Sequence, residues 1–309
     1  MRQDNKQINQ DSTSINIKDK YPTQNSINVE DITIVIPTLN EEEAINSVIE
    51  DVMTHGYENI IIVDGNSTDR TVEIAKKHGV KILKQNGKGK TGAIITAIQN
   101  IKTPYFTLID GDCTYGAEDI EKLMPYINGK LEVIGVRTHG RDNITRLNRF
   151  GNWVINALFN LTFGTKLTDV CSGMYLLQTN FARKLVLEST GFDVEVEIAA
   201  NAATEGEITE TPIGFYQRKG VKKLHPVRDG AKIMSRILLK GYQLRRNRLF
   251  YLAAISLIFP GILFSLYSFN LNILNRNLTS YTIGLILIIL AVQGFTLLLV
   301  DSRLSRLRK

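Results

Sequence analysis

The chain has 309 residues, of which 43% are hydrophobic and 22% are charged, and its formal net charge is +6. This length can bury the core of one domain of about 200 residues and leave further segments over. The positive charge is concentrated late in the chain, since residues 217–248 contain eleven Lys or Arg and one acid. A nucleic-acid-binding protein carries its basic footprint on the folded domain, so the distribution argues against nucleic acid and favours a membrane surface as partner.

The first 30 residues are rich in Asn, Gln, Asp and Ser and contain no apolar core. This composition predicts a disordered tail, residues 1–30, and gives no sign of a signal peptide. The two cysteines, Cys113 and Cys171, lack the spacing of a zinc site and suit a reducing compartment.

Short apolar runs alternate with helical patterns over residues 31–228. Strands are predicted at residues 32–36, 59–63, 80–83 and 105–109. Pro37 ends the first run, and Asn40, with Glu43 three residues on, predicts the start of a helix. Apolar strands separated by helices indicate a parallel sheet covered on both faces. The predicted fold is therefore a Rossmann-like α/β domain.

Polar segments directly follow three of these strands, at residues 37–41, 64–67 and 110–112. In open α/β sheets the ligand crevice lies beyond the carboxyl ends of the strands, so the three segments converge on one rim. Asp110 and Asp112 would repel each other there unless a hard divalent cation, Mg²⁺ or Mn²⁺, bridges them to phosphate oxygens. The alternative is that both acids are ordinary turn formers.

Residues 229–248 show apolar side chains at helical spacing among basic residues. The pattern predicts a basic juxtamembrane amphipathic helix in the lipid headgroup layer. A helix packed on the globular domain explains the same pattern equally well.

Residues 249–269 and 279–300 contain no charged residue, and each would span about 30 Å as a helix. They predict two transmembrane helices in a hairpin, the alternative being a pair of buried helices in a globular domain. Basic residues precede the first segment and recur in the tail, residues 301–309. The positive-inside bias then places the catalytic domain and both termini in the cytoplasm.

Three sequence stretches carry a family resemblance: VIPTLNEEEAI, IIVDGNSTDRT and TLIDGDCTYG. They resemble the successive nucleotide-sugar motifs of family 2 glycosyltransferases with the GT-A fold. Later segments, among them VIGVR and GFDVEVEI, resemble the dolichol-phosphate mannose, glucose and N-acetylglucosamine synthases. The resemblance implies inverting, metal-dependent transfer of a single hexose or N-acetylhexosamine from a UDP- or GDP-linked sugar to polyprenyl or dolichyl phosphate at the cytoplasmic membrane face.

Site residues follow from this resemblance position by position. Donor binding is expected of Pro37, Asn40, Glu41, Asp64, Ser67, Lys90 and Asp110. Metal binding is expected of Asp110, Asp112 and Thr114, catalysis of Asp110, Asp112 and Arg137, and acceptor-phosphate binding of Arg137 and Arg149. A mobile loop with Arg218, Lys222 and Lys223 is expected to close over the donor, although an interfacial basic patch is an equally good interpretation.

Two positions depart from the family pattern. Gly65 stands where a second acid usually follows Asp64, and Thr114 stands where the mannose synthases often have Gln. Both departures favour a uridine nucleotide over a guanosine nucleotide as donor.

The chemistry of a lipid phosphate supports such an acceptor independently. A phosphate monoester is anionic at neutral pH, so it needs cations to hold it and no base to activate it. Asp169 and Glu195 are candidate bases, with structural roles as the alternative. Two other functions stay open: transfer onto a sugar already attached to a lipid carrier, and a non-catalytic membrane scaffold.

Overall fold

The computed structural model describes residues 27–275 and six separate positions, residues 282, 286, 289, 290, 292 and 293. The predicted tail 301–309 and nearly all of the predicted tail 1–30 lie outside the described residues.

Seven strands of the described chain form a single mixed sheet. They are β1 Ile32–Thr38, β2 Ile60–Asp64, β3 Lys81–Lys84, β4 Tyr105–Leu108, β5 Glu132–His139, β6 Tyr175–Gln178 and β7 Ile208–Gly214. Their order across the sheet is β3-β2-β1-β4-β6-β5-β7. The four predicted strands, β1 to β4, are parallel neighbours as expected. The complete sheet is mixed, because the further strand β6 runs antiparallel to β4 and to β5.

Nine α-helices occur among the described residues. They are α1 Ile45–Thr54, α2 Thr71–Lys77, α3 Gly89–Ile98, α4 Ile120–Leu123, α5 Arg146–Phe163, α6 Thr179–Ala182, α7 Val194–Glu205, α8 Pro226–Leu244 and α9 Arg246–Asn275. In α1 the buried residues are Ile45, Val48, Ile49 and Val52, which recur at the spacing of one helix face.

The predicted helix start at Asn40 is wrong, since α1 begins at Ile45. Asn40 has a φ of +52°, in the left-handed region, and its side-chain Oδ1 accepts a 2.7 Å hydrogen bond from the backbone N–H of Thr68. The side chain that would have capped the helix is thus bound to the loop after β2, and residues 39–44 form a turn at the rim of the sheet.

The sheet has a core on each face because successive side chains of a strand point to opposite sides. Ile34 and Ile36 of β1 pack in one cluster with α1, α2 and α4. Val35 packs in the other cluster with α3, α5, α7 and α8. Ile34 is fully buried, so its replacement by Ala should cost about 2–5 kcal/mol of unfolding free energy.

Helix α8 packs on the domain against α5 and α7. Ile233 and Ile237 lie in the core cluster, and the ammonium of Lys240 is 2.8 Å from a carboxylate oxygen of Glu197. The interpretation as a packed helix therefore describes its buried face, while contact of its other faces with lipid headgroups stays a prediction.

Helix α9 contains the first predicted span, residues 249–269, and includes Pro260 within its length. Within the described part of the chain, the combination of length and apolarity that a membrane crossing requires is not met by any helix. The first predicted span is therefore not confirmed. Most of the second, residues 279–300, lies outside the described residues.

Candidate active site

Two cavities open at the carboxyl ends of the strands and meet between β4 and α3. The first, about 400 Å³, lies among the loops after β1, β2, β3 and β4 and is called the strand cavity below. The second, about 540 Å³, lies between α5, α8 and the loop after β4 and is called the helix cavity. Both are lined by Lys90, Asp110, Asp112, Phe192 and Arg218. The predicted acid pair therefore stands where the two cavities join.

The loops after β1 and β2 hold each other in place on one side of the strand cavity. The backbone N–H of Asn40 donates a 2.9 Å hydrogen bond to the hydroxyl of Ser67. The carboxylate of Asp64 accepts hydrogen bonds from the backbone N–H groups of Asn66 and Ser67, at 3.0 and 3.2 Å. Pro37 lines the cavity beside them. Four predicted donor-binding residues thus form one ordered corner, and of these four only Pro37 is among the described residues that line the cavity.

Glu41 lies at the floor of this corner and is 7% exposed. Its Oε1 pairs with the guanidinium of Arg218 at 3.0 Å and with the ammonium of Lys223. Its Oε2 is buried and has no hydrogen-bond donor among the described residues. Burial raises the pKa of Glu41, and the two cations oppose that shift. A ligand that brings a hydrogen-bond donor to Oε2 would satisfy this oxygen.

Lys90 connects the acid pair to the interior of the domain. Its ammonium lies 2.7 Å from Asp110 Oδ1 and 2.7 Å from Glu195 Oε1. Burial alone would lower the pKa of Lys90, but the two carboxylates raise it well above its ordinary value. Lys90 is therefore charged, and it holds Asp110 in a fixed orientation.

Asp112 is 5% exposed and is held by a short network. Its Oδ1 accepts hydrogen bonds from the backbone N–H of Thr114 at 3.0 Å and from the Thr114 hydroxyl at 2.5 Å. Its Oδ2 lies 2.7 Å from the Arg218 guanidinium. Burial and the charge of Asp110 raise the pKa of Asp112. Thr114 orients this aspartate, and its expected role as a metal ligand stays a prediction.

The acid pair fits a divalent cation. The Asp110 oxygen that does not bind Lys90, Oδ2, lies against Gly173. A Cβ added at Gly173 would lie only 2.5 Å from Oδ2, so the glycine leaves space for this oxygen. Two neighbouring carboxylates repel each other, and an ion of two positive charges relieves this repulsion. Asp110 and Asp112 therefore offer the hard oxygen ligands that Mg²⁺ or Mn²⁺ prefers.

Arg137 stands at the head of the helix cavity. Its Nε and Nη2 donate to Asp169 at 2.7 and 2.6 Å, and its guanidinium lies 5.3 Å from the centre of the Phe215 ring. The predicted second phosphate contact, Arg149, is placed differently. The Arg149 Nη1 atom lies 3.5 Å from Oδ1 of the exposed Asp142. Arg149 is not among the described residues that line the helix cavity.

The segment between β7 and α8, residues 215–225, crosses the front of the acid pair. Its backbone is tied to the loop after β4, because Tyr216 N–H donates to Thr114 O at 2.9 Å and Lys219 N–H donates to Asp112 O at 3.0 Å. Arg218 lines both cavities, Lys222 the helix cavity and Lys223 the strand cavity. Of the three basic residues expected in this loop, Arg218 therefore lies at the junction, and Lys222 and Lys223 each line one of the two cavities. The mobility of the loop stays a prediction.

Two side chains in this region have a clearer role in the structure than in the sequence. Asp169 and Glu195, considered above as bases, each form an ion pair, with Arg137 and Lys90 respectively. Gln85 was missed altogether: it follows β3 and lines the strand cavity. A single polar residue after a strand gives no signal of its own in the sequence.

The walls that α5 and α8 give to the helix cavity are mainly apolar. Leu147 and Phe150 of α5 and Val227 and Met234 of α8 line it. Phe150 is 63% exposed and stacks on Trp153, with ring centres 6.0 Å apart. Sequence reasoning assigned α5 no such role, because its apolar positions look like those of any amphipathic helix. The result is a cavity with residues of both charges, Arg137 among them, and with apolar walls from α5 and α8.

Comparison with known proteins places this site in a family. The model described as "Glycosyl transferase family 2" matches residues 33–186. "Glycosyltransferase AglJ" of Haloferax volcanii is 35% identical over 231 residues, covering 72% of this chain and 76% of that protein. "Dolichyl-phosphate hexose transferase" of the same organism is 35% identical over 210 residues, covering 66% of this chain and 91% of that protein. The chain belongs to glycosyltransferase family 2, and it is a glycosyltransferase.

A solved structure shows the same architecture. The crystal structure of glucosyl-3-phosphoglycerate synthase from Mycobacterium tuberculosis, in complex with Mn²⁺, UDP-glucose and phosphoglyceric acid, superposes with a TM-score of 0.57. It is 19% identical, and the match covers 68% of this chain and 79% of that one. The likeness confirms the predicted GT-A fold.

Proposed function

We propose that the protein transfers one hexose or N-acetylhexosamine from a nucleotide sugar to polyprenyl or dolichyl phosphate, with inversion at the anomeric carbon. The observation that carries the proposal is the meeting of two unlike cavities at Asp110 and Asp112. The strand cavity offers charged and polar groups for a nucleotide sugar. The helix cavity offers Arg137 for a phosphate and apolar walls for an isoprenoid. The name of the second Haloferax volcanii relative, a dolichyl-phosphate hexose transferase, supports the same acceptor.

The donor diphosphate would lie at the junction of the cavities. Asp110 and Asp112, with Thr114 as a further proposed ligand, would hold Mg²⁺ or Mn²⁺, which when bound supplies positive charge for the departing diphosphate. Lys90 holds Asp110 in position, and Arg218 reaches the same place from the loop. These fixed cations favour the charge that develops on the leaving group. The Mn²⁺ in the mycobacterial structure supports the choice of a divalent ion.

The acceptor phosphate would bind Arg137. A guanidinium has five N–H donors, of which Asp169 takes the Nε–H and one at Nη2, so three remain for a phosphate. A phosphate monoester has its second pKa near 6 and is already a nucleophile at neutral pH. Asp169 and Glu195 are both paired with cations and are poorly placed to act as bases. Attack by the phosphate oxygen on the side opposite the leaving group gives inversion.

Transfer onto a lipid-linked sugar is the weaker alternative. A sugar hydroxyl needs a base, and among the described acids that line the helix cavity Asp110, Asp112 and Glu195 each have a cationic partner. A scaffold without catalysis would have no use for this arrangement.

The donor nucleotide is proposed to be a uridine one. Gly65 departs from the usual family pattern and Thr114 from that of the mannose synthases, and the mycobacterial structure contains UDP-glucose. GDP-sugars are the competing donors in the test below.

The reaction is proposed to take place at a membrane, because a long isoprenoid acceptor resides in the lipid bilayer, and on its cytoplasmic face. The uncharged segments 249–269 and 279–300 support anchoring by a hairpin, and the basic residues around them support cytoplasmic termini.

The test is a transfer assay with the full chain in detergent. Radiolabelled UDP- and GDP-sugars are incubated with polyprenyl phosphate, and the product is extracted into organic solvent. We expect label in the solvent phase with a UDP-sugar and none with Asp112→Asn. Transfer that requires a lipid-linked sugar, or no transfer with any donor, would contradict the proposal.

A further inference from the structure

The side chain of Gln85 is locked in one orientation at the far end of the strand cavity. Its backbone N–H donates to Asp64 O at 2.8 Å, which continues the pairing of β2 with β3. Its side-chain Nε2 donates to Gly87 O at 3.2 Å and to Gly89 O at 2.9 Å. A primary amide has two N–H donors, and both are used. Rotating the amide would set its oxygen against two carbonyl oxygens, so Oε1 is fixed as an acceptor.

Gly65 makes room for this oxygen. A Cβ added at Gly65 would lie 3.1 Å from Gln85 Oε1 and 3.2 Å from Thr38 O. The backbone of Gly65 has an ordinary φ, so space and not conformation favours glycine there. Any side chain at position 65 would press its Cβ against Oε1 and against the Thr38 carbonyl oxygen. The absence of a side chain at position 65 and the position of the Gln85 amide are therefore complementary.

Gln85 Oε1 has no hydrogen-bond donor assigned to it in the part of the chain that the structure describes, and Gln85 lines the strand cavity with Gly65, Asp110 and Asp112. In the sheet order, β3 is three strands from β4, which is about 14 Å at the usual strand spacing. The strand cavity reaches from the acid pair to Gln85, so a nucleoside joined to a diphosphate at the acid pair would lie along this cavity toward β3. The fixed acceptor thus stands where the nucleoside would be.

We infer that Gln85 Oε1 accepts a hydrogen bond from the donor nucleoside, and that Gln85 with Gly65 determines which nucleoside is accepted. This inference rests on the proposed function. The partner is an N–H or O–H group, either the imide N–H of uracil or the 2′-hydroxyl of the ribose. Cytosine carries a lone pair at the equivalent ring nitrogen, so it would face Oε1 with a second acceptor.

The test is the binding of UDP, CDP and 2′-deoxy-UDP, each with Mn²⁺, to the full chain and to Gln85→Ala by calorimetry. A neutral hydrogen bond contributes enough for the preference of UDP over CDP to fall about three- to tenfold in the variant. A fall of that size in the preference for UDP over 2′-deoxy-UDP would support the inference with the ribose as the source. Equal weakening of all three nucleotides would overturn it, since Gln85 would then only anchor the glycine-rich turn.

A second variant covers the case in which Gln85→Ala disturbs that turn. Gly65→Ala keeps both donors of the Gln85 amide and adds a methyl group without an acceptor 3.1 Å from Oε1, so that oxygen must shift and we expect the preference for UDP to fall as well; an unchanged preference would count against the inference. Gln178→Ala is the matched control, because Gln178 also donates its amide to a backbone carbonyl, Lys130 O at 2.8 Å, and lies outside both cavities. Failure of UDP to bind the unaltered chain would overturn the donor assignment itself, and this inference with it.

Discussion

Replacing Arg137 by Lys should weaken binding of the acceptor, polyprenyl phosphate, and leave binding of the nucleotide sugar unchanged. Lysine keeps a positive charge next to Asp169, so it avoids the cost of about 3–5 kcal/mol for leaving a buried charge without its partner. It loses the planar fork that makes the 2.7 and 2.6 Å bonds to Asp169 and the stacking on Phe215. The ammonium has only three donors, and those that remain after Asp169 is satisfied cannot form a bidentate contact with a phosphate.

The size of the effect follows from the lost contact. One hydrogen bond between charged groups contributes about 1.5–3 kcal/mol, which corresponds to a rise of about ten- to a hundredfold in the KM for polyprenyl phosphate. The KM for the nucleotide sugar should not change, because Arg137 is not among the described residues that line the strand cavity.

The assay is steady-state transfer with each substrate varied in turn. Arg183→Lys serves as the control, since the Arg183 guanidinium bonds to the backbone carbonyl of Ile101 at 2.6 Å and lies outside both cavities. An Arg137→Lys enzyme that unfolds at the same temperature and has an unchanged KM for polyprenyl phosphate would refute the assignment of the acceptor site.

Three further changes test the junction and the core. Arg218→Gln removes the guanidinium 2.7 Å from Asp112, so a Mn²⁺ titration should show tighter binding to the free enzyme, while kinetics should show a KM for the nucleotide sugar about tenfold higher. Gly173→Ala would put a Cβ 2.5 Å from Asp110 Oδ2 and turn that carboxylate away; kcat should fall about 100-fold while the unfolding temperature stays within a few degrees. Burial, and to a smaller extent the charge of Glu195, raises the pKa of the Glu132 carboxyl well above 4.5. Above pH 4.5 the Glu132 carboxyl therefore keeps its proton in the folded state, whereas the unfolded chain releases it. The free energy of unfolding should therefore fall as pH rises from 4.5 toward the raised pKa. Urea unfolding at pH 5 and at pH 7 measures this fall. In Glu132→Gln the fall should be smaller than in the unaltered protein, by up to about 1.4 kcal/mol for each pH unit in that window.

Much of the sheet could be predicted from the sequence because its inner strands are continuous apolar runs. All five residues of β2 are buried, so the run from Ile60 to Asp64 reads as a strand with both faces covered. The strands β1 to β4 were located to within two residues at each end. The direction of β6 could not be predicted, since the apolar pattern of Tyr175–Gln178 is the same in either direction.

The acid pair could be predicted for a related reason. Residues at the carboxyl ends of neighbouring parallel strands converge whatever the details of the helices, which brings Asp64 and Asp110 to one rim. The partners of these residues could not be predicted in the same way. Glu195 lies 2.7 Å from Lys90 although 105 positions separate them, and no local pattern marks such a pairing.

Boundaries governed by side-chain hydrogen bonds were the least predictable. Asn40 has the residue type of a helix cap, but Thr68 takes its side chain, and α1 begins at Ile45. The choice between two polar partners depends on tertiary contacts, which the sequence near Asn40 does not contain.

In the proposed reaction, Asp110 and Asp112 hold a divalent cation during sugar transfer to a lipid phosphate. The most direct measurement is the rate of labelled polyprenyl-phosphate sugar formation by the full chain after chelation and after Mn²⁺ is restored, with Asp112→Asn measured in parallel. The account predicts that the rate falls to background on chelation and returns only in the unaltered enzyme. Undiminished transfer by the metal-free enzyme would contradict it.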